Sequence, residues 1–333
     1  MSPCSAGRST LTESPVSDGL LQTTPPVRIG RIRQVLLSGA IDAAMDLSGV
    51  TVVGDYLVLG ADEGHRLQVL VRTLDGEHWT LEQTLALAKK DQEVDIEAIT
   101  FGQGYLYVAG SHSLRRRRLK PELSVRKNRE RLLDVGQQSA RNRLYRLSFD
   151  PASGVLGKTE YIDLSKRLRK DPLLGPFTKL PSKENGVEIE GIALRDGRLY
   201  LGFRGPVLRD NYVPVMTLAF DRPKDYALSF VRLDGQGIRD FVALDDGFLI
   251  LSGPVNDAPG PFCLWWWDGA DQIPGKDRTV HATRWLGEVS TSGGASAEGL
   301  ALLSEENGHA EVVLVYDTDN AAQAVRMQVD LRP

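Results

Sequence analysis

Along this chain, short apolar strands alternate with glycine turns, and one unit recurs: an apolar strand led by a carboxylate, a Gly turn, a second apolar strand and a polar tip. The first copy runs Asp46-Leu47-Ser48-Gly49-Val50, a turn at Gly54-Asp55, Tyr56 to Leu59, and a tip from Asp62 to His65. Equivalent strands begin at Asp95, Glu188, Gly237 and Ser296. Their second strands are Tyr105 to Ala109, Arg198 to Leu201, Phe248 to Leu251 and Val312 to Val315. Three of the turns carry Asp196-Gly197, Asp246-Gly247 or Asn307-Gly308, the residue pairs that best accept positive φ at both turn positions. Matching positions are Ser48, Glu97, Glu190, Arg239 and Glu298, spaced by 49, 93, 49 and 59 residues. A period of about 40–50 residues is that of a propeller blade.

Each unit continues with further strand candidates. They are Leu67–Val71 with Trp79–Leu85, Leu144–Phe149 with Thr159–Leu164, Val213–Phe220 with Leu228–Leu233, and Phe262–Trp267 with Thr279–Trp285. The last unit offers only Ala324–Val329, so its fourth strand is expected from the N-terminal segment around Val35. Closing a ring with strands from both ends removes exposed edges. The reading is an all-β propeller of five four-stranded blades. The step of 93 residues leaves room for a sixth blade as the alternative. Two insertions fill it instead: 114–142, polar and helix-prone, and 165–184, with three prolines.

The domain is expected to span 27–333. Residues 1–26, rich in Ser, Thr, Pro and Gly, are expected to be a disordered tail, and they lack the basic-then-apolar pattern of a secretory signal. Hydrophobic residues make up 41%, enough for a substantial core, and the net charge of −4 gives no reason to expect nucleic acid as a partner. No apolar run is long enough to span a membrane. Only Cys4 and Cys263 are present, which excludes a disulfide framework and suits a reducing, cytoplasmic setting.

The segments Asp95-Ile96-Glu97-Ala98-Ile99 through Gly110-Ser111-His112-Ser113, Asn185-Gly186-Val187-Glu188-Ile189-Glu190-Gly191-Ile192 through Arg204-Gly205-Pro206-Val207, and Ala297-Glu298-Gly299-Leu300 resemble the family called domain of unknown function 3616, over about residues 40–330. That resemblance implies the fold and no activity. The strand-leading Glu-Gly pairs are also distantly similar to phytase-like and esterase-like propellers.

In a propeller, the first strand of each blade lines the axis, and its start shares a face with the end of the second strand. One mouth should therefore gather Asp46, Asp95, Glu97, Glu188, Glu190, Asp240 and Glu298, with Asp62, His112, Arg204, Asn256 and Asp317 at the tips. So many carboxylates need a cation, an arginine or raised pKa values to coexist. Arg204 and Arg239 are candidate partners. The candidate metal ligands for a hard ion such as Ca²⁺ are Asp46, Asp95, Glu97, Glu188, Glu190 and Glu298. Glu97, His112, Glu190, Arg204 and Glu298 are the candidate catalytic set, for a hydrolase acting on a small ester or phosphoester. A carboxylate at a strand start can equally be a structural latch for backbone N–H groups. No Gly-x-Ser-x-Gly elbow, Walker loop or dinucleotide glycine pattern occurs.

The insertion 114–142 holds ten basic and three acidic residues, net +7. Its Arg115, Arg116, Arg117 and Arg118 are candidates for binding an anion or a protein partner, or for covering the mouth. A non-enzymatic module that presents the mouth or this insertion to a protein is the competing expectation.

Overall fold

The computed structural model describes residues 28–42, 46–74, 76–291, 295–318 and 323–333; the tail expected at 1–26 lies outside these. The fold is all-β, with antiparallel four-stranded groups following one another along the chain. The opening strand is β1 (Ile29–Ser38). The first group is β2 (Leu47–Val53), β3 (Tyr56–Ala61), β4 (Arg66–Arg72) and β5 (His78–Ala86). The second begins with β6 (Ile96–Gly102) and β7 (Tyr105–Gly110). An excursion follows: β8 (Arg115–Arg116), α1 (Val125–Leu133) and β9 (Val135–Gly136). The group then completes with β10 (Arg143–Phe149) and β11 (Leu156–Asp163). After α2 (Ser165–Lys170) comes the third group, β12 (Glu188–Arg195), β13 (Arg198–Gly205), β14 (Tyr212–Ala219) and β15 (Arg222–Arg232). The fourth is β16 (Gly237–Ala243), β17 (Phe248–Gly253), β18 (Phe262–Trp267) and β19 (Arg284–Val289). The chain ends on β20 (Ser296–Glu306), β21 (His309–Asp317) and β22 (Gln323–Asp330).

β1 divides its pairing. Ile29 to Val35 run antiparallel to β22, with Gln34 opposite Val325 and Val35 opposite Ala324. Leu36, Leu37 and Ser38 then run parallel to β5. This one strand joins the first and last groups into a continuous eight-stranded sheet.

Alternation explains the packing. Inward residues of each group meet those of the next in separate apolar clusters. Leu67, Ile96 and Leu106 pack between groups one and two, and Leu144, Ile192 and Phe203 between two and three. Val215, Phe241 and Trp267 lie between three and four, and Leu251, Leu300 and Leu314 between four and the last. Leu57, Leu59, Val313 and Val315 return from the last to the first. Each such side chain stabilises the fold by about 1.5–3 kcal/mol on burial.

Two local expectations need correction. The outer strand of group four is Arg284–Val289, not Thr279–Trp285, because Trp285 rather than an earlier residue pairs with Trp265. Residues 279–283 form a loop that Thr283 ties to the Arg232 carbonyl at 2.8 Å. Asp196-Gly197 and Asn307-Gly308 do reach positive φ at both positions, but Asp246-Gly247 does not. Gly247 is needed there for space instead: a Cβ would sit 2.4 Å from the Trp267 carbonyl oxygen.

Among the described residues no helix is long and apolar enough to cross a membrane.

Candidate functional site

A β-bulge recurs at the same place in all five inner strands. The pairing register skips between Leu47 and Val50, Ile96 and Ala98, Ile189 and Gly191, Ile238 and Asp240, and Ala297 and Gly299. The skipped positions hold Ser48, Glu97, Glu190, Arg239 and Glu298, the five residues that the repeat aligns. A bulge lets two residues oppose one and re-aims a side chain. Here it turns one side chain per group out of the ladder, and those of the second to last groups meet in a row, Glu97 near Glu190, Glu190 on Arg239 and Arg239 on Glu298.

Arg239 Nη1 lies 2.7 Å from Glu298 Oε2 and 3.3 Å from Glu190 Oε2. Its Nη2 donates to the Pro254 carbonyl at 3.1 Å. Arg204 Nη1 reaches Glu190 Oε1 at 2.8 Å, and its Nη2 forms an ion pair with Glu188. Ser48 Oγ donates to the Ile96 carbonyl, stitching group one to group two. All five charged residues of this arginine-linked half are buried or nearly so. Burial disfavours the charged form of Glu190 and pushes its carboxyl up, against the pull of Arg204 and Arg239.

Glu97 differs. Among the described residues no hydrogen bond or ion pair engages its carboxyl, although it is only 9% exposed. Burial, then Asp95, Glu190, Glu188 and Asp62, push it well above the usual carboxylate range. Oxygens of Glu97, Glu188 and Glu190 lie within 4.8 Å of one another. Ligands at about 2.3–2.6 Å on opposite sides of a Ca²⁺ stand about that far apart, so the oxygen spacing suits a hard cation. Arg204 occupies part of the charge of Glu188 and Glu190, leaving Glu97 as the carboxylate that a cation would neutralise most directly.

Beside this half lies a second group of acids from the first and last sheets. Asp46 and Asp317 form an isolated antiparallel bridge, and the Asp62 N–H donates to the Asp46 carbonyl at 3.1 Å. Burial, then Asp95, Asp46, Asp317 and Glu298, raise Asp62 to about 8. Burial, then Glu298 and Asp46, bring Asp317 to about 6. Asp95 takes a positive φ of 58°, an uncommon setting for a non-glycine residue, and pairs at 2.9 Å with Arg141.

Three candidates play other parts. Asp240 accepts from the Phe241 and Leu300 N–H groups, both at 2.8 Å, and is a latch between β16 and β20. Asn256 folds onto its own loop by accepting from the Ala258 N–H at 2.9 Å. His112 stands apart from the carboxylates. Its Nδ1 is 2.7 Å from the Gly110 carbonyl, its Nε2 is buried without a hydrogen-bond partner, and the acid that acts on it is Asp163 of β11. Burial lowers it to about 4, so it is neutral at pH 7.

The four arginines after His112 do not act as one cluster. Arg116 bonds Glu184 and the Leu132 carbonyl, and Arg117 pairs with Asp134 at 3.0 Å. Arg115 lies 3.5 Å from Glu93 and 3.7 Å from Glu63. The field of Arg118 reaches Asp46, Asp257 and Asp317, opposing the rise of the first and last and helping to lower Asp257, and Arg115 also acts on Asp46. The two insertions touch: Leu114 bridges Pro181, and the Ser182 N–H donates to the Leu114 carbonyl at 2.9 Å. Lys183 also acts on Asp317 and pairs with Asp257 at 2.5 Å. Arg141, counted in sequence with the basic insertion, is instead buried against Asp95 and Glu93. The signal for it was position, two residues before β10 and far from the helical basic run.

Comparisons with known proteins follow from this geometry. Among curated proteins, none matches the sequence. Solved structures of similar shape include a hypothetical protein from Leishmania major, with TM-score 0.44 and 11% identity, covering 91% of this chain and 90% of that one. A luciferin-regenerating enzyme is similar at TM-score 0.41 and 9% identity, over 85% of this chain and 91% of the other. A protein described as Bacteroides ovatus xyloglucan PUL GH43B gives 0.44 and 13%, over 88% of this chain and 53% of that one. The family described as protein of unknown function (DUF3616) matches residues 46–330, nearly the whole described sheet assembly, and the chain belongs to that family.

Proposed function

We propose that the chain is a five-bladed propeller closed by β1, and that its axial carboxylates bind a divalent cation, Ca²⁺ first among them, to hydrolyse a small ester or phosphoester. The observation that carries the site is Glu97: a buried carboxyl that, among the described residues, makes no hydrogen bond or ion pair, and whose oxygen lies within 4.8 Å of oxygens from Glu188 and Glu190. The bulge repeated in every inner strand and the apolar cluster joining the last group to the first support the blade count. A cation at this place would polarise an ester or phosphoryl oxygen. Glu97, Glu188 and Glu190 would hold it. Glu298 and Arg239, linked at 2.7 Å, would fix the opposite wall, and Arg204 would keep Glu188 and Glu190 aimed inward. Arg118 and Lys183 would draw an anionic substrate toward the acids they already influence. His112 has no part in this reading. Cytoplasmic residence belongs to the same proposal and rests on the sparse cysteines.

The test is calcium titration of the purified chain, followed by screening of ester and phosphoester substrates with calcium and with chelator. A ligand that binds only the folded state raises the melting temperature by mass action. The rise should be larger at pH 8 than at pH 5, because protons compete for the raised carboxyls, and it should vanish in Glu97→Gln. If Ca²⁺, Mg²⁺, Mn²⁺ and Zn²⁺ all leave the melting temperature unchanged, the cation site is wrong.

A second reading, a protein-docking module, is favoured by α1. None of its side chains is buried, and Val125 and Leu133 are 71% and 84% exposed on a strongly basic hairpin. A partner with an acidic, partly apolar face would fit it. Retention of every interaction after α1 is excised would remove that reading.

A further inference from the structure

Away from the acidic mouth, a cavity of about 380 Å³ opens where β1 passes between the first and last sheets. It lies toward the other end of the strands: Arg72 on its wall donates its backbone N–H to Asp55, in the turn between β2 and β3, at 2.8 Å. Four arginines line it, Arg31, Arg33, Arg72 and Arg326, with Glu77 as the single acidic residue among the described residues of the lining. Its floor is apolar, from Val35, Trp79, Leu303 and Val313.

The arginines are unequally satisfied. Arg33 and Arg326 are direct cross-strand partners, an unfavourable pairing of like charges. Each has an acid to offset it: Glu77 at 3.8 Å from Arg33, and Glu311 held by both ends of the Arg326 guanidinium. Among the described residues Arg31 and Arg72 have none. Among the described residues no hydrogen bond or ion pair engages the Arg31 side chain, which projects from the bulge between Ile29 and Ile32. The Arg72 guanidinium lies over the Trp79 ring at 4.7 Å, and its Nε is buried without a hydrogen-bond partner. A buried donor left unmade is costly, and a guanidinium already stacked on an indole is held in place to receive an oxyanion.

We propose that this cleft binds a small organic anion, its oxyanion head held by Arg31 and Arg72 and its apolar body seated on Val35, Leu303 and Val313. Carboxylate and phosphate share this chemistry, since guanidinium matches both in bidentate fashion. An apolar body fits because the floor is built from Val35, Trp79, Leu303 and Val313, and Gln34 is the one uncharged polar side chain among the described lining residues. The site is independent of the axial carboxylates and needs no metal.

The experiment is isothermal titration of the full chain, in chelator to silence any cation site, with phenyl phosphate, benzoate and inorganic phosphate. Phenyl phosphate or benzoate, or both, should bind saturably, and inorganic phosphate more weakly than phenyl phosphate. Whichever of the two binds tighter identifies the head group. Arg31→Gln should weaken binding about tenfold, as should Arg72→Gln, while Arg129→Gln on α1 should not. Affinity should fall as salt rises. Arg72→Gln also removes the contact with Trp79; if that variant does not fold, Arg31→Gln, whose side chain supports nothing else, decides alone. The proposal is overturned if neither organic anion binds more tightly than about 1 mM. It is equally overturned if Arg31→Gln leaves the affinity unchanged, or if inorganic phosphate binds as tightly as phenyl phosphate.

Discussion

Glu190, almost fully buried, divides its two oxygens between Arg204 and Arg239. Truncating it leaves two buried guanidiniums short of an anion, and breaking such a pair costs about 3–5 kcal/mol. Glu190→Ala should therefore lower the denaturant midpoint markedly, whereas Glu97→Gln, which breaks no pair, should leave it close to wild type; equal losses would contradict the division of roles. Asp62 supplies a pH dependence. In the unfolded chain it ionises near 3.8, while the folded chain keeps its proton up to about 8. Folding binds a proton between those values, so this group's contribution is fully present below pH 3.8, falls as pH rises through the window, and levels off above about 8. Asp62→Asn has no proton to lose. In chelator, its melting temperature relative to wild type should climb from pH 5 to pH 8; a constant difference would rule this out. The acids themselves were legible in sequence, because a carboxylate leads three of the five repeated strands and Asp240 and Glu298 follow within the first residues of the other two. Their partners were less so. Arg141 looked like one more charge in a basic run, and His112 looked axial because it follows the strand end, but its ring is held by the Gly110 carbonyl and the acid that acts on it is Asp163.

The strand pairs were legible as well, since alternation and Gly turns are local signals. The bulges were not. A two-against-one pairing depends on how far neighbouring inner strands approach, and that distance is set by small residues next to the bulge. Gly299 shows it: a Cβ there would lie 2.1 Å from the Ser48 carbonyl oxygen, which is fixed backbone. Gly299→Ala should push β20 away from β2 and cost about 1–3 kcal/mol, read by chemical denaturation; a neutral substitution would mean the approach has slack. The shifted outer strand of group four has a similar cause, because register with Trp265 overrides the local preference of Thr279 to Arg284. The basic hairpin is the opposite case. α1 buries nothing, and Ser124 caps it with its own side chain accepting from the Lys127 N–H. Replacing 119–133 by a short Gly-Ser linker should leave the melting temperature within a few degrees, since exposed charges contribute little each. In the same spirit Arg118→Gln, not Arg116→Gln, should weaken binding of an anionic substrate, and by less at high salt.

At the scale of the molecule, β1 holds the last sheet to the first through two different kinds of pairing. Removing residues 1–38 would expose β22 as an open edge over its full length. The truncated chain should aggregate or lose its cooperative transition, as checked by light scattering and thermal melts; a monomeric chain with unchanged stability would show the joint to be dispensable. The divided pairing also bears on how the protein is made. Ile29 meets Val329, so β1 leaves the ribosome long before its main partner, with all the other strands made in between. Contacts of such long sequence separation are slow to form, and an unpaired strand is a hazard while it waits. The three parallel positions Leu36 to Ser38 have their partners in β5, some forty residues on, and can dock while the rest is still being translated. The short parallel segment thus parks the nascent strand beside the first sheet until β22 emerges to claim the remainder.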